Sequence, residues 1–222
     1  MLARLSFVII GLIVLVGCGG GGGSSAVIPT DPNQEFSLAF VKDTKVGTLY
    51  TSTLSGSDSL GNSITGSILV ANRAQELLGG ILVTPQDELL NLNVDGIAIS
   101  VTGTSYIEEN GYLVLLTIQT TGVTCTPSSP IAFPDFVKVG DFGILPSLIC
   151  DDNTTQETNW RVEDGKNGNI LLVTSSVIKD QFNSKISTTE ITYTIDSNGN
   201  LIAFKTISTD IALGYTMTYQ SI

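Results

Sequence analysis

The chain has 222 residues, with 10 basic and 21 acidic side chains, a net charge of −11, 42% hydrophobic residues and no histidine. So acidic a surface repels phosphate backbones and anionic lipid headgroups, and nucleic acid is not expected as a partner. The missing histidine excludes Ser-His-Asp and Cys-His catalysis, histidine-ligated zinc or haem, and the usual general base near neutrality.

The N-terminus begins with a basic residue, Arg4, and continues with an apolar run from Leu5 to Val16. At about a dozen residues the run has the layout of a secretory signal and is too short to cross a hydrocarbon core, which needs about 20. It ends on Leu15-Val16-Gly17-Cys18. This tetrapeptide resembles the lipobox of bacterial lipoproteins. The resemblance implies that residues 1–17 are removed and that Cys18 is the lipid attachment site. Gly19 to Gly23, Ser24 and Ser25 follow. Such a stretch cannot pack, so residues 18–34 are expected to form a flexible tether with a reach of about 20 Å. Each buried methylene of an acyl chain contributes about 0.8 kcal/mol, enough for two or three chains to hold the protein on a membrane. In the lipoprotein family an aspartate after the lipidated cysteine marks retention in the inner membrane. Gly19 stands there instead, so the resemblance implies a lipid anchor in the outer membrane of a Gram-negative cell, on its periplasmic or cell-surface face.

From residue 35 to 222 the chain is rich in Thr, Ser, Val and Ile in short alternating runs, such as Gly47–Gly56, Gly96–Ile107, Glu190–Ile195 and Tyr215–Ile222. Period two with β-branched residues predicts half-buried strands. Asp95-Gly96, Asn110-Gly111, Asn167-Gly168 and Asn198-Gly199 each precede an apolar run and predict tight type I′ hairpins. The expected fold is all-β: an antiparallel meander forming a sandwich, a barrel or a strongly curved sheet. Val70–Gly80 (VANRAQELLGG) reads equally as a short helix and as a continued strand. Ser105–Gly122 and Thr192–Thr209 share a plan of Tyr, acid, Asn-Gly and a long apolar strand, the pattern on which antiparallel hairpins converge. The proline-rich stretch 126–136 lies between them and is expected to be a surface crossover where two halves of the domain meet.

Cys125 and Cys150 remain after Cys18 is assigned to lipid. In an oxidising compartment a disulfide between them is expected, closing a loop of about 26 residues and contributing about 3–4 kcal/mol. The carboxylates offer little chemistry. Asp196–Asn200 begins like a calcium loop, but Gly199 stands at the fourth place and Ile207 at the twelfth, so it reads as a hairpin tip. Asp151–Glu157 lacks the oxygen count calcium needs. Adjacent pairs (Asp87 with Glu88, Glu108 with Glu109, Glu163 with Asp164) are expected to point to opposite faces of their strands. Trp160, the single tryptophan, reads as a core anchor. No catalytic residue, metal site or cofactor is expected.

The segments VKVGDFG (Val137–Gly143), CDDNTT (Cys150–Thr155), NWRVED (Asn159–Asp164) and TYTIDSNGN (Thr192–Asn200) resemble a recurring C-terminal pattern of uncharacterised proteobacterial lipoproteins. The resemblance implies a lipoprotein domain of unknown function and carries over no active-site residue. The expected role is a non-catalytic envelope interaction or structural module with an envelope protein as partner. The alternative is a carrier of a lipid or other apolar ligand, lined by runs such as Gly80–Thr84, Leu113–Ile118 and Asn169–Val173.

Overall fold

The computed structural model describes residues 29–222; the leader, Cys18 and the glycine run lie outside the described residues. The strands in chain order are β1 (Phe36–Ser37), β2 (Leu49–Asp58), β3 (Ser63–Asn72), β4 (Glu76–Leu78), β5 (Ile81–Val94), β6 (Ile97–Glu108), β7 (Leu113–Ile118) and β8 (Val123–Pro127). They continue with β9 (Phe136–Val137), β10 (Phe142–Cys150), β11 (Thr155–Lys166), β12 (Asn169–Lys179), β13 (Lys185–Ile195), β14 (Leu201–Asp210) and β15 (Tyr215–Ser221). One 3-10 turn, Ala39–Lys42, precedes β2.

Of the three architectures the alternation allows, the chain adopts the barrel. Twelve strands form an antiparallel ring in which each bonds its neighbour in the meander. β15 returns to β2, and β3 bonds β5 directly, which closes the ring. β6–β7 and β13–β14, the two similar hairpins, lie in this one ring, and residues 128–141 cross between neighbours β8 and β10. Inward and outward residues alternate along each strand: on β13, Thr189, Ile191, Tyr193 and Ile195 are buried, while Glu190, Thr192 and Thr194 face outward.

Val70–Gly80 is not helical. β3 runs to Asn72, breaks at Arg73–Gln75 and resumes as β4 along the same side of β5. The break lies against Pro85, whose carbonyl accepts the Arg73 N–H. Proline has no N–H to return, so the ladder loses a bond there and the chain detours for three residues.

The turns divide into two kinds. Asp95-Gly96 and Asn167-Gly168 have positive φ at both residues, as type I′ requires. At Asn110-Gly111 and Asn198-Gly199 only the glycine is left-handed. At the second of these the Asp196 carboxylate accepts the N–H groups of Asn198 and Asn200, stabilising a type I turn that ends on a left-handed glycine, and at the first the Asn110 side-chain oxygen accepts the Tyr112 N–H.

A ring of 12 strands is wider than the eight-stranded size that its own side chains fill. Here the extra width at one end is occupied by a plug. Phe36, Leu38, Phe40 and Val41 of the entering chain and Ile131, Phe133 and Val137 of the crossover are all buried, and β1 pairs with β9 between them. Phe40 stacks at 6.1 Å on Tyr193 and Phe133 at 6.2 Å on Trp160, both inward-facing residues of the ring. Trp160 is therefore a core anchor, and it lies over Gly143, where a Cβ would come within 2.7 Å of the indole. Thr30 is buried, its hydroxyl donating to the Asn169 carbonyl at 2.6 Å and its N–H to Asp164 at 3.1 Å.

Cys125 and Cys150 form a disulfide, directly opposite each other on β8 and β10. It clamps the crossover that carries half of the plug. The double variant Cys125→Ala/Cys150→Ala is expected to lose about 3 kcal/mol of stability, read from urea denaturation with midpoint and slope both fitted, since the uncrosslinked denatured chain is more expanded.

Candidate functional site: an apolar mouth opposite the plug

Both the entering chain and the C-terminal residue of the ring lie at the plugged end. The opposite end is formed by six turns, which in order around the ring join β5–β6, β2–β3, β14–β15, β12–β13, β10–β11 and β7–β8. β7 stops at Ile118, opposite Gly103, so β6 projects beyond it.

Within this end is a pocket of about 590 Å³, within the usual range for a small-molecule site. Leu60, Val94, Ile97, Ile99, Leu213 and Tyr215 line it, and its walls are mostly apolar. The polar groups nearest to it belong to one network. The Asp58 carboxylate accepts the Leu60 N–H at 2.9 Å, the Asn62 N–H and side-chain amide at 2.8 Å each, and the Tyr215 hydroxyl at 2.9 Å. Ser59 is tied to Thr216 by two further bonds, so the β2–β3 turn is fixed to β15. No lysine or arginine lines the pocket.

Burial opposes the charge of Asp58, and the hydrogen bonds from Asn62, Tyr215 and Leu60 outweigh it, holding the carboxyl below its ordinary value of 3.8. Burial first, then the bond to Asp58 and its charge, push the Tyr215 phenol up to about 12. The depressed carboxyl stabilises the fold above its ordinary value, a contribution lost as pH falls through the lowered one. The raised phenol stabilises it below 10, a contribution lost as pH rises towards about 12. Asp58→Asn is expected to flatten the acid side of a stability curve and to lower the Tyr215 ionisation from about 12, followed by phenolate absorbance, by the part that Asp58 contributes beside burial.

Deeper in the ring is a polar belt. Tyr193 lies beside Thr174 and Tyr219 beside Thr206, and both phenols are raised, by burial foremost and then by the charge of Glu88. Glu88 lies on β5 between Val70 and Gly103, in register with the inward-facing residues. Its neighbour Asp87 faces outward to Arg73 at 2.9 Å and Thr104 at 2.7 Å, the opposed arrangement expected of adjacent carboxylates.

Several of the other acids singled out in the sequence are engaged in structural contacts. Glu163 meets Arg161 and Asp164 meets Lys166. Glu157 meets Lys179, and Asp152 caps its own turn at Thr154. Of the runs proposed as ligand walls, Leu113, Leu116, Ile118, Ile170 and Leu172 fill the core. The residues that line the mouth were not among the sequence candidates. Their signal is an apolar residue set among turn formers, as in SLGN (59–62) and DIALG (210–214), where a water-facing hairpin would carry polar side chains.

Compared with protein-family models, with curated proteins and with solved structures, the chain matches none.

Proposed function

We propose that the protein is a membrane-anchored barrel that holds an apolar ligand of the acyl-chain class at its open end. The observation that carries this reading is the apolar mouth, at the end of the ring that, among the described residues, no plug fills. The outer wall supports it: β11 presents Glu157, Asn159, Arg161 and Glu163, and β13 presents Glu190, Thr192 and Thr194. On these two strands a polar outer face backs a largely apolar inner one, the reverse of a lipid-facing strand. The lipobox at Leu15–Cys18 supports an acyl anchor on Cys18 and an outer-membrane location, with the leash attached at the plugged end. With the Asp58 carboxylate beside the pocket and no cation lining it, an anionic headgroup such as a free fatty-acid carboxylate is disfavoured. The role is binding without catalysis and without a cofactor.

The test is titration with a fluorescent monoacylglycerol. Saturable, one-to-one binding that weakens at least tenfold in Ile99→Asp is expected, and equal binding by both proteins would refute the reading. A second reading, an envelope interaction module, is favoured by Phe142 and Ile144. These two outward residues of β10 are 80% and 79% exposed, alongside the only stretch of that strand without a β8 partner. Crosslinking in intact cells from position 142 tests it.

A further inference from the structure

Four consecutive turns at the open end each carry an exposed apolar side chain. They are Ile97 (61% exposed) on β5–β6, Leu60 (76%) on β2–β3, Ile211 and Leu213 (43% and 61%) on β14–β15, and Phe182 (77%) on β12–β13. The remaining two turns are polar, with Thr120 and Thr121 on one and Asp151, Asp152 and Asn153 on the other. The apolar residues therefore form one continuous arc over two thirds of the rim. They are held there by their own turns. Asp58 accepts the Leu60 N–H, Asp180 accepts the Phe182 and Ser184 N–H groups, and Asp210 accepts the Leu213 N–H. Side chains fixed at the tips of separate hairpins make a set of shallow projections, not a groove for a peptide or helix.

We propose that this arc inserts into the interfacial region of a lipid bilayer whose surface is net neutral. Two observations specify that occupant. Three of the arc's residues, Leu60, Ile97 and Leu213, also line the mouth, so the apolar surface runs unbroken from rim to pocket, and an acyl chain would leave the bilayer without crossing water. The charges beside the arc, Asp95, Asp180 and Asp210 against Lys179 and Lys185, leave it acidic, which disfavours anionic headgroups. The docking rests on the rim and goes beyond the ligand reading; it places the inserting face at the end of the barrel opposite the leash.

The experiment uses the full chain with vesicles of dibrominated phosphatidylcholine, whose bromines quench tryptophan only at acyl-chain depth. Trp160, inside the ring, supplies a constant background. Phe182→Trp is expected to lose more than half of its added emission, and Thr121→Trp, on the polar arc, to keep its own. Adding Leu60→Asp and Leu213→Asp to Phe182→Trp is expected to restore the emission at unchanged far-ultraviolet circular dichroism. Replacing a third of the neutral lipid by phosphatidylglycerol is expected to weaken the quenching. Equal quenching at 182 and 121, no quenching at either, or stronger quenching on the anionic vesicles would overturn the proposal. The monoacylglycerol titration, run without vesicles, reports the pocket separately, so failure of docking and failure of ligand binding are distinguishable.

Discussion

Replacing Gly56 and Gly66 together by alanine is expected to destabilise the barrel by upward of about 4 kcal/mol or to prevent its closure. Overpacking a formed interior ordinarily costs about 1–3 kcal/mol per site, because side chains shift to make room. Here the obstacles are main-chain atoms. A Cβ on Gly56 of β2 would fall on the Thr218 carbonyl of β15, and one on Gly66 of β3 on the Asn91 carbonyl of β5. Backbone cannot rotate away as a side chain does. Both glycines lie beside the seam, where β2 must bond β15 on one flank and β3 must bond β5. Sheets bend into closed rings at such positions, and filling them straightens the strands. Urea denaturation, with the tryptophan emission of Trp160 as reporter, measures the loss. Each single variant is expected to show roughly half of it, since the two contacts lie on different strand pairs.

Phe40→Ala is expected to cost about 3–5 kcal/mol, the range for removing a large buried aromatic. Phe40 is 5% exposed, at the centre of the plug, with its ring against Tyr193. Its removal leaves a void in a part of the interior that the ring's own side chains do not reach. Unlike the glycine variants, this one is expected to keep the barrel closed while loosening the entering chain. Amide exchange should then accelerate at Leu38 and Val41, and remain slow at Ile191 and Tyr193 on β13. A uniform acceleration across both sets would mean that the plug is integral to the ring rather than a filling for it.

How much of this was legible in the sequence depends on the range of the interaction concerned. The alternation in Glu190–Ile195 and Tyr215–Ile222 reports which face of a strand is buried, a local property, and the all-β fold follows from it. Cys125 and Cys150 were readable as a pair because only two cysteines remained once Cys18 was set aside. Sandwich and barrel share the same period of two, however, and what separates them is whether β15 meets β2, a contact between residues more than 150 positions apart. Pro85 was the local clue to the break between β3 and β4, but its effect depends on which side of β5 its nitrogen faces. The mouth was hidden for a similar reason. Leu60 and Leu213 each look like an isolated apolar residue in a turn, and only the order of the hairpins around the ring gathers them.

The seam between β2 and β15 also sets the order of assembly. Every other ring contact joins strands close in the chain, but this one awaits residues 215–221, the last of the ring's own strands in chain order. Until they arrive, the curved sheet has two bare borders of unpaired N–H and C=O groups, each a template for another chain. The interval before those seven residues dock is thus when nascent molecules are most prone to join one another.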